Sequence, residues 1–160
     1  MHPTPKELGD NGEHHVCELL RAHGYAATLL HVNAKTYDVQ ASRTDTTFMV
    51  SVKVSREKQH VRLGSRRSVL GLTPGNFVFA FIPTPGGQIQ DLRQSPHTLL
   101  IIPAEVARDD ALSIHDSYWI EKDKDPNTFS VMVKGYGSHH LAMWPRWLAY
   151  RDAWRLLPQA

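Results

Sequence analysis

Two short stretches carry the residue types best suited to chemistry: Tyr37-Asp38-Val39-Gln40-Ala41 and Val50-Ser51-Val52-Lys53-Val54. Each alternates apolar and polar residues with the period of two that a half-buried strand requires. Asp38 and Gln40 share one face of the first, with Tyr37, Val39 and Ala41 on the other. Ser51 and Lys53 share one face of the second, opposite Phe48, Val50, Val52 and Val54. Between them, Arg43-Thr44-Asp45-Thr46 supplies a turn. A tight turn centred on Thr44 and Asp45 sets Arg43 against Thr46 and, counting outward, Asp38 against Ser51. Lys53 is then a diagonal neighbour of Asp38, within reach of a long side chain. An odd-length loop would break this relation, because a slip of one residue sends the whole set to the opposite face.

A second carboxylate lies upstream. Gly9, Gly12, Glu13, Val16 and Leu20 recur at spacings that share one side of a helix. Each internal glycine costs about 1 kcal/mol relative to alanine. Two of them beside one acid predict a helix side that approaches another backbone closely. The competing reading of Glu13 is a surface acid near the helix start, favoured by the helix dipole.

These residue types suit metal-assisted hydrolysis of a phosphodiester. That reaction needs a divalent cation to neutralise charge and lower the pKa of a bound water, and a positive group near the developing charge. Mg²⁺ prefers oxygen ligands and keeps several of its own waters, so one or two carboxylates and a backbone carbonyl can hold it. Asp38 is the expected principal ligand and the carbonyl of Val52 a second. Lys53 is the activating or charge-stabilising group, and Glu13 completes the shell directly or through water.

The runs Gly9-x-x-Gly12-Glu13, Tyr37-Asp38-Val39-x-Ala41 and Val50-Ser51-Val52-Lys53-Val54-Ser55 resemble the PD-(D/E)XK restriction-endonuclease-like superfamily. The resemblance is strongest to its branch of small nucleases and Holliday-junction-resolvase-like proteins. The order of elements is similar too: helix with glutamate, strand, strand with aspartate, strand with lysine, then a buried strand. It covers roughly residues 5 to 55, with a looser echo at 76 to 106 in Leu100-Ile101-Ile102-Pro103-Ala104-Glu105-Val106. The resemblance implies an α/β fold with an αβββαβ core, a central mixed sheet flanked by helices. It further implies a nuclease acting on DNA, branched DNA or RNA with Mg²⁺ or Mn²⁺. Arg56, Lys58, Arg62, Arg66 and Arg67 would then be nucleic-acid contacts that position phosphates without reading sequence.

Ser51 departs from the pattern, which has Glu, Asp or often Gln there. A hydroxyl is a weak neutral ligand, so metal affinity should fall unless Glu13 compensates or Gln40 adds a neutral oxygen. Glu57, four residues beyond Lys53, is expected to belong to the following loop.

The elements that must position these residues follow from local signals. Thr4-Pro5-Lys6-Glu7 combines a capping threonine, proline at the first helical position and glutamate completing a capping box. That helix should run to about His23 and stop at Gly24. Tyr25 to Val32 reads as a first strand. Residues 55 to 75 are basic and punctuated by Gly64, Gly71, Pro74 and Gly75, which suggests loop with at most a short helix. Asn76 to Ile82 and Thr98 to Ile102 are apolar runs expected as buried strands, and Pro103 to Val106 starts a short helix. Tyr118 to Glu121 and Thr128 to Lys134 look like a late strand pair. Trp147, Arg151, Trp154 and Leu157 fit a C-terminal helix ended by Pro158, its tryptophans packing in the core.

At 160 residues and 41% hydrophobic, the chain is read as one domain over 1–160 with a real core. A formal charge of +2 names no partner. Its distribution says more: Lys53, Arg56, Lys58, Arg62, Arg66 and Arg67 with His60 face one acid, Glu57, within fifteen residues. Such an excess attracts phosphates, or is a solvated charged loop. A lone cysteine, Cys17, excludes an internal disulfide and fits a reducing, cytoplasmic setting. Nothing reads as a membrane span or signal peptide. The ten histidines, His14-His15 and His139-His140 among them, match no structural zinc spacing. Cutting both strands of a duplex usually takes two sites, which admits a homodimer. Two rival readings remain: a nuclease-fold module that binds or assembles without cleaving, its metal site decayed at Ser51, and a small α/β interaction domain.

Overall fold

The computed structural model describes residues 2–31, 36–115, 129–132 and 144–159. Helix α1 spans Pro5–Ala22. Its capping box forms as the sequence predicts: the Glu7 amide donates to Thr4 Oγ1 at 3.1 Å and the Thr4 amide donates to Glu7 Oε2 at 2.9 Å. His23 caps the other end, and Gly24 turns the chain at φ +89°.

The chain then builds a five-stranded mixed sheet in the order β1-β2-β3-β5-β6. Strands β1 (Ala26–Leu29), β2 (Val39–Arg43) and β3 (Thr46–Val54) form an antiparallel meander. The β2–β3 register pairs Arg43 with Thr46 and Val39 with Val50, around a two-residue turn in which Thr44 sits at φ 55°. This is the even register on which the Asp38–Lys53 relation depends. Strand β5 (Phe77–Pro83) lies parallel to β3, and β6 (His97–Pro103) antiparallel to β5. Every residue of β5 is buried, as its unbroken apolar run requires of a central strand.

Two hydrophobic clusters sandwich the sheet. On one side, Val16 and Leu20 of α1 pack against Val39, Phe48, Val50, Phe79 and Phe81. On the other, Val78, Ala80, Ile82, Leu100 and Ile102 meet Ala107 and Ala111 of α3 (Ala104–Ile114). Cys17 is buried at 3% exposure within the first cluster, a core residue as its helical pattern suggested.

Residues 55–75 hold more than a loop. His60–Gly64 is a strand, β4, and Arg66–Leu70 a short helix, α2. β4 pairs antiparallel with β7 (Phe129–Met132) in a small second sheet. Its burial alternates, Val61 and Leu63 inward and Arg62 outward, but two apolar residues among basic ones give a weak sequence signal. Of the expected late strand pair, β7 is the second member; Tyr118 to Glu121 lies outside the described residues, as do His139 and His140.

The expected C-terminal helix is two short pieces, a helical turn at 144–148 and a 3-10 turn at Trp154–Leu156. Between them, Asp152 adopts φ 46° and the Ile101 amide donates to the Tyr150 carbonyl at 2.9 Å. Pairing with β6 wins over helix propagation there. The tryptophans do pack inward: Trp147 is fully buried, and its Nε1 donates to Asp110 at 2.7 Å. Trp154 is partly buried and stacks on His23.

Candidate active site

Asp38 sits where β2 and β3 separate. Ladder pairing ends at Val39–Val50, with the Asp38 amide still donating to the Val50 carbonyl at 2.9 Å. One step further, the carboxylate takes the place of the missing backbone partner, and Oδ2 accepts from the Val52 amide at 2.7 Å. The alternation foreseen through residue 37 stops here. Tyr37 buries in the α3-side cluster while Val39 and Ala41 bury against α1, so the chain rolls over at Asp38. The Tyr37 hydroxyl accepts from the Thr73 amide at 2.9 Å and pins that roll.

The roll lets Asp38 meet Glu13, which projects from the middle of α1, and the two carboxyl groups hydrogen-bond. Gly12 explains how the helix comes close enough. A Cβ there would lie 2.5 Å from Val54 Cγ2 and 3.1 Å from Val52 Cγ1. The close approach expected of the glycine side is therefore real at Gly12, and it is made against valine side chains of β3 rather than backbone. Gly9 has open space and takes no part in it.

Electrostatics bind the three charged groups into one unit. Burial, followed by the charge of Asp38, raises Glu13 from its ordinary 4.5 to about 7. Burial also raises Asp38, opposed by the Val52 amide, by Lys53 and by the bond from Glu13. Burial lowers Lys53, and the two carboxylates pull it back up. Glu13 therefore holds its proton more tightly than an exposed glutamate does, beside a lysine whose charge burial disfavours.

The other expected residues divide. Ser51 is buried at 1% exposure and lies opposite Val78 across the β3–β5 pairing. Gln40 is exposed on β2 between Thr28 and Met49, and no contact links it to the carboxylates. Glu57 belongs to the loop after β3, where Gln88 bonds it at 3.4 Å. No group of three or more His, Cys, Asp or Glu side chains suited to a metal occurs among the described residues. His14 and His15 do diverge: His14 is exposed, and His15 packs edge-on against Phe81 and His97.

The basic residues do not form one face. Lys58, Arg62, Arg66 and Arg67 are exposed. Arg56 is half-buried and donates to the Pro3 carbonyl, tying the loop to the chain start. Arg66 is held against His115 at 3.0 Å and over the Phe129 ring at 5.4 Å, joining α2 to the small sheet and α3. The sequence counted His60 only as part of the basic run; in the fold it shares with Lys53, Ser55 and Arg62 the cleft between β3 and β4. The signal for it was the Val61-x-Leu63 alternation, which puts His60 and Arg62 together on the opposite face.

No protein-family model matches the chain, and no curated protein sequence does. Solved structures similar to this chain include two nucleases. One is a bacterial homing endonuclease, I-Ssp6803I, at a TM-score of 0.54 and 16% identity over 98% of this chain and 91% of that one. The other is the Holliday junction resolvase Hjc of Archaeoglobus fulgidus, at a TM-score of 0.49 and 14% identity over 78% and 83%. Among the described residues no helix is long and apolar enough to cross a membrane. With α1 and α3 on opposite faces of a mixed sheet whose central β3 and β5 run parallel, the chain has the restriction-endonuclease-like fold.

Proposed function

We propose that this protein is a metal-dependent nuclease that hydrolyses phosphodiester bonds of DNA, with branched DNA or RNA as further substrates. The observation that carries the reading is the meeting of Glu13, Asp38 and Lys53 at the split between β2 and β3. The fold shared with a homing endonuclease supports it.

The donor set fits Mg²⁺ or Mn²⁺. Burial and the neighbouring charge of Asp38 make Glu13 costly to ionise, and a hard dication held by both carboxylates would relieve that cost. Asp38 and Glu13 would hold it, with the Val52 carbonyl as a neutral partner. When bound, the ion supplies charge neutralisation and a more acidic water. The protein's own groups do the rest. The Val52 amide fixes one oxygen of Asp38, and the other would be the one offered to a ligand. Lys53, its ammonium destabilised by burial, stabilises the charge growing on the phosphoryl oxygens or orients the attacking water. Lys58 and Arg62, with Arg56 where it is not held by the Pro3 carbonyl, offer phosphate contacts along the grooves beside Lys53, and Arg67 offers one from α2; Arg66 is already engaged with His115.

The second reading, a module that binds nucleic acid without cutting it, is favoured by one observation. Ser51 is buried where a second strand carboxylate would stand, so the donor set is one charge short. Magnesium-dependent nicking of plasmid or branched DNA, abolished in Asp38→Ala and Lys53→Ala, is the result expected of the first reading. Salt-sensitive binding with no cleavage, unchanged by chelator, would replace it with the second. A homodimer is the assembly we propose for cutting both strands; sedimentation of the protein with and without DNA checks it.

A further inference from the structure

The cleft beside Lys53 does not end there. Its lining residues Ser55, His60 and Arg62 also line a second, wider groove that runs on past Arg56 and Lys58 to Pro5 at the start of α1. The charges along this path are one-sided, with Lys53, Arg56, Lys58 and Arg62 against Glu57. We propose that His60 and Arg62 hold the phosphate next to the one at Lys53, so that one strand runs between β3 and β4 toward the start of α1. This rests on the reading of the protein as acting on nucleic acid, and it assigns that strand's path and a contact residue to it.

His60 is suited to the task by what it lacks. Its Nδ1 is buried with no hydrogen-bond partner among the described residues, a condition that native structures rarely leave uncompensated. A phosphate oxygen drawn in by Arg62 and Lys58 would end that isolation. Burial, then Arg62 and Lys58, lower the imidazole's affinity for a proton, so at neutral pH the ring contributes a hydrogen bond without a charge. Val61 and Leu63, both 2% exposed, anchor β4 in the core, so His60 and Arg62 project from a rigid strand rather than a loop.

The test compares wild type with His60→Phe, His60→Gln and Arg62→Gln, using a fluorescent DNA oligonucleotide in chelator across a salt series and magnesium-supported cleavage of the same oligonucleotide. His60→Phe should weaken binding about tenfold, the loss expected of one hydrogen bond to a charged group. It should raise KM with kcat unchanged and keep the salt slope of wild type. His60→Gln, which retains an amide donor, should recover most of the loss. Arg62→Gln should weaken binding and lower the salt slope by about one. Binding by His60→Phe within twofold of wild type overturns the proposal, as does an equal loss in His60→Gln. Wild type that neither binds nor cuts DNA at low salt overturns the nuclease reading together with this one, and is told apart because it does not depend on residue 60.

Discussion

At the scale of single residues, the carboxyl of Glu13 is the most informative group. Its pKa in the folded chain lies near 7, against 4.5 ordinarily. Between those values the folded state holds a proton that the unfolded chain has released. The stabilisation is complete below about pH 4.5 and is lost as pH rises through 7. In chelator, the thermal midpoint of wild type should therefore fall relative to Glu13→Gln as pH goes from 5 to 8, and Mg²⁺ should restore it at pH 8. Parallel midpoint curves for the two proteins would remove the tightly held Glu13 proton from the account. Ser51 invites the opposite change. Ser51→Asp places a third acid in a buried position, which should cost about 2 kcal/mol in urea unfolding without metal. Mn²⁺ should in turn bind the variant more tightly by calorimetry, about tenfold.

At the scale of elements, α1 and β3 are matched by one missing side chain. Gly9→Ala meets open space and removes backbone entropy from the unfolded chain, so it should stabilise by about 0.5–1 kcal/mol. Gly12→Ala pushes a methyl to within 2.5 Å of Val54 Cγ2, and overpacking of this kind costs about 1–3 kcal/mol. Denaturant unfolding should thus separate two chemically identical substitutions on one helix face. Helix α2 offers a second contrast. Both Arg66 and Arg67 are exposed, but Arg66 is bound to His115 and lies over Phe129. Arg66→Gln should lower stability by about 1 kcal/mol. Arg67→Gln should leave the midpoint within about 0.5 kcal/mol and show itself only in weaker, sequence-independent DNA binding.

At the scale of the whole molecule, the last described segment closes the sheet. Trp147 fills the α3-side cluster while Ala153 and Leu157 enter the other, so these few residues clamp both faces across β6. Asp110 and Trp147 Nε1 form the buried tie. Trp147→Phe keeps an aromatic side chain but removes the indole N–H and part of the buried volume, an expected loss of about 2–3 kcal/mol by calorimetry. How much of this was legible beforehand depends on the range of the interaction. The capping box, the Gly24 stop, the hairpin register and the buried β5 follow from residues a few positions apart, and all were readable. The sequence by itself also put Asp38, Lys53 and Glu13 forward, the first two as charged residues on the polar faces of alternating strands and the third on a glycine-lined helix side. Tertiary structure decided that they meet. The roll of the backbone at Asp38, the gap that Gly12 opens toward Val54, and the cleft that brings His60 beside Lys53 arise from packing between segments far apart in the chain. Burial between those segments sets how strongly each proton is held, and no local pattern encodes it.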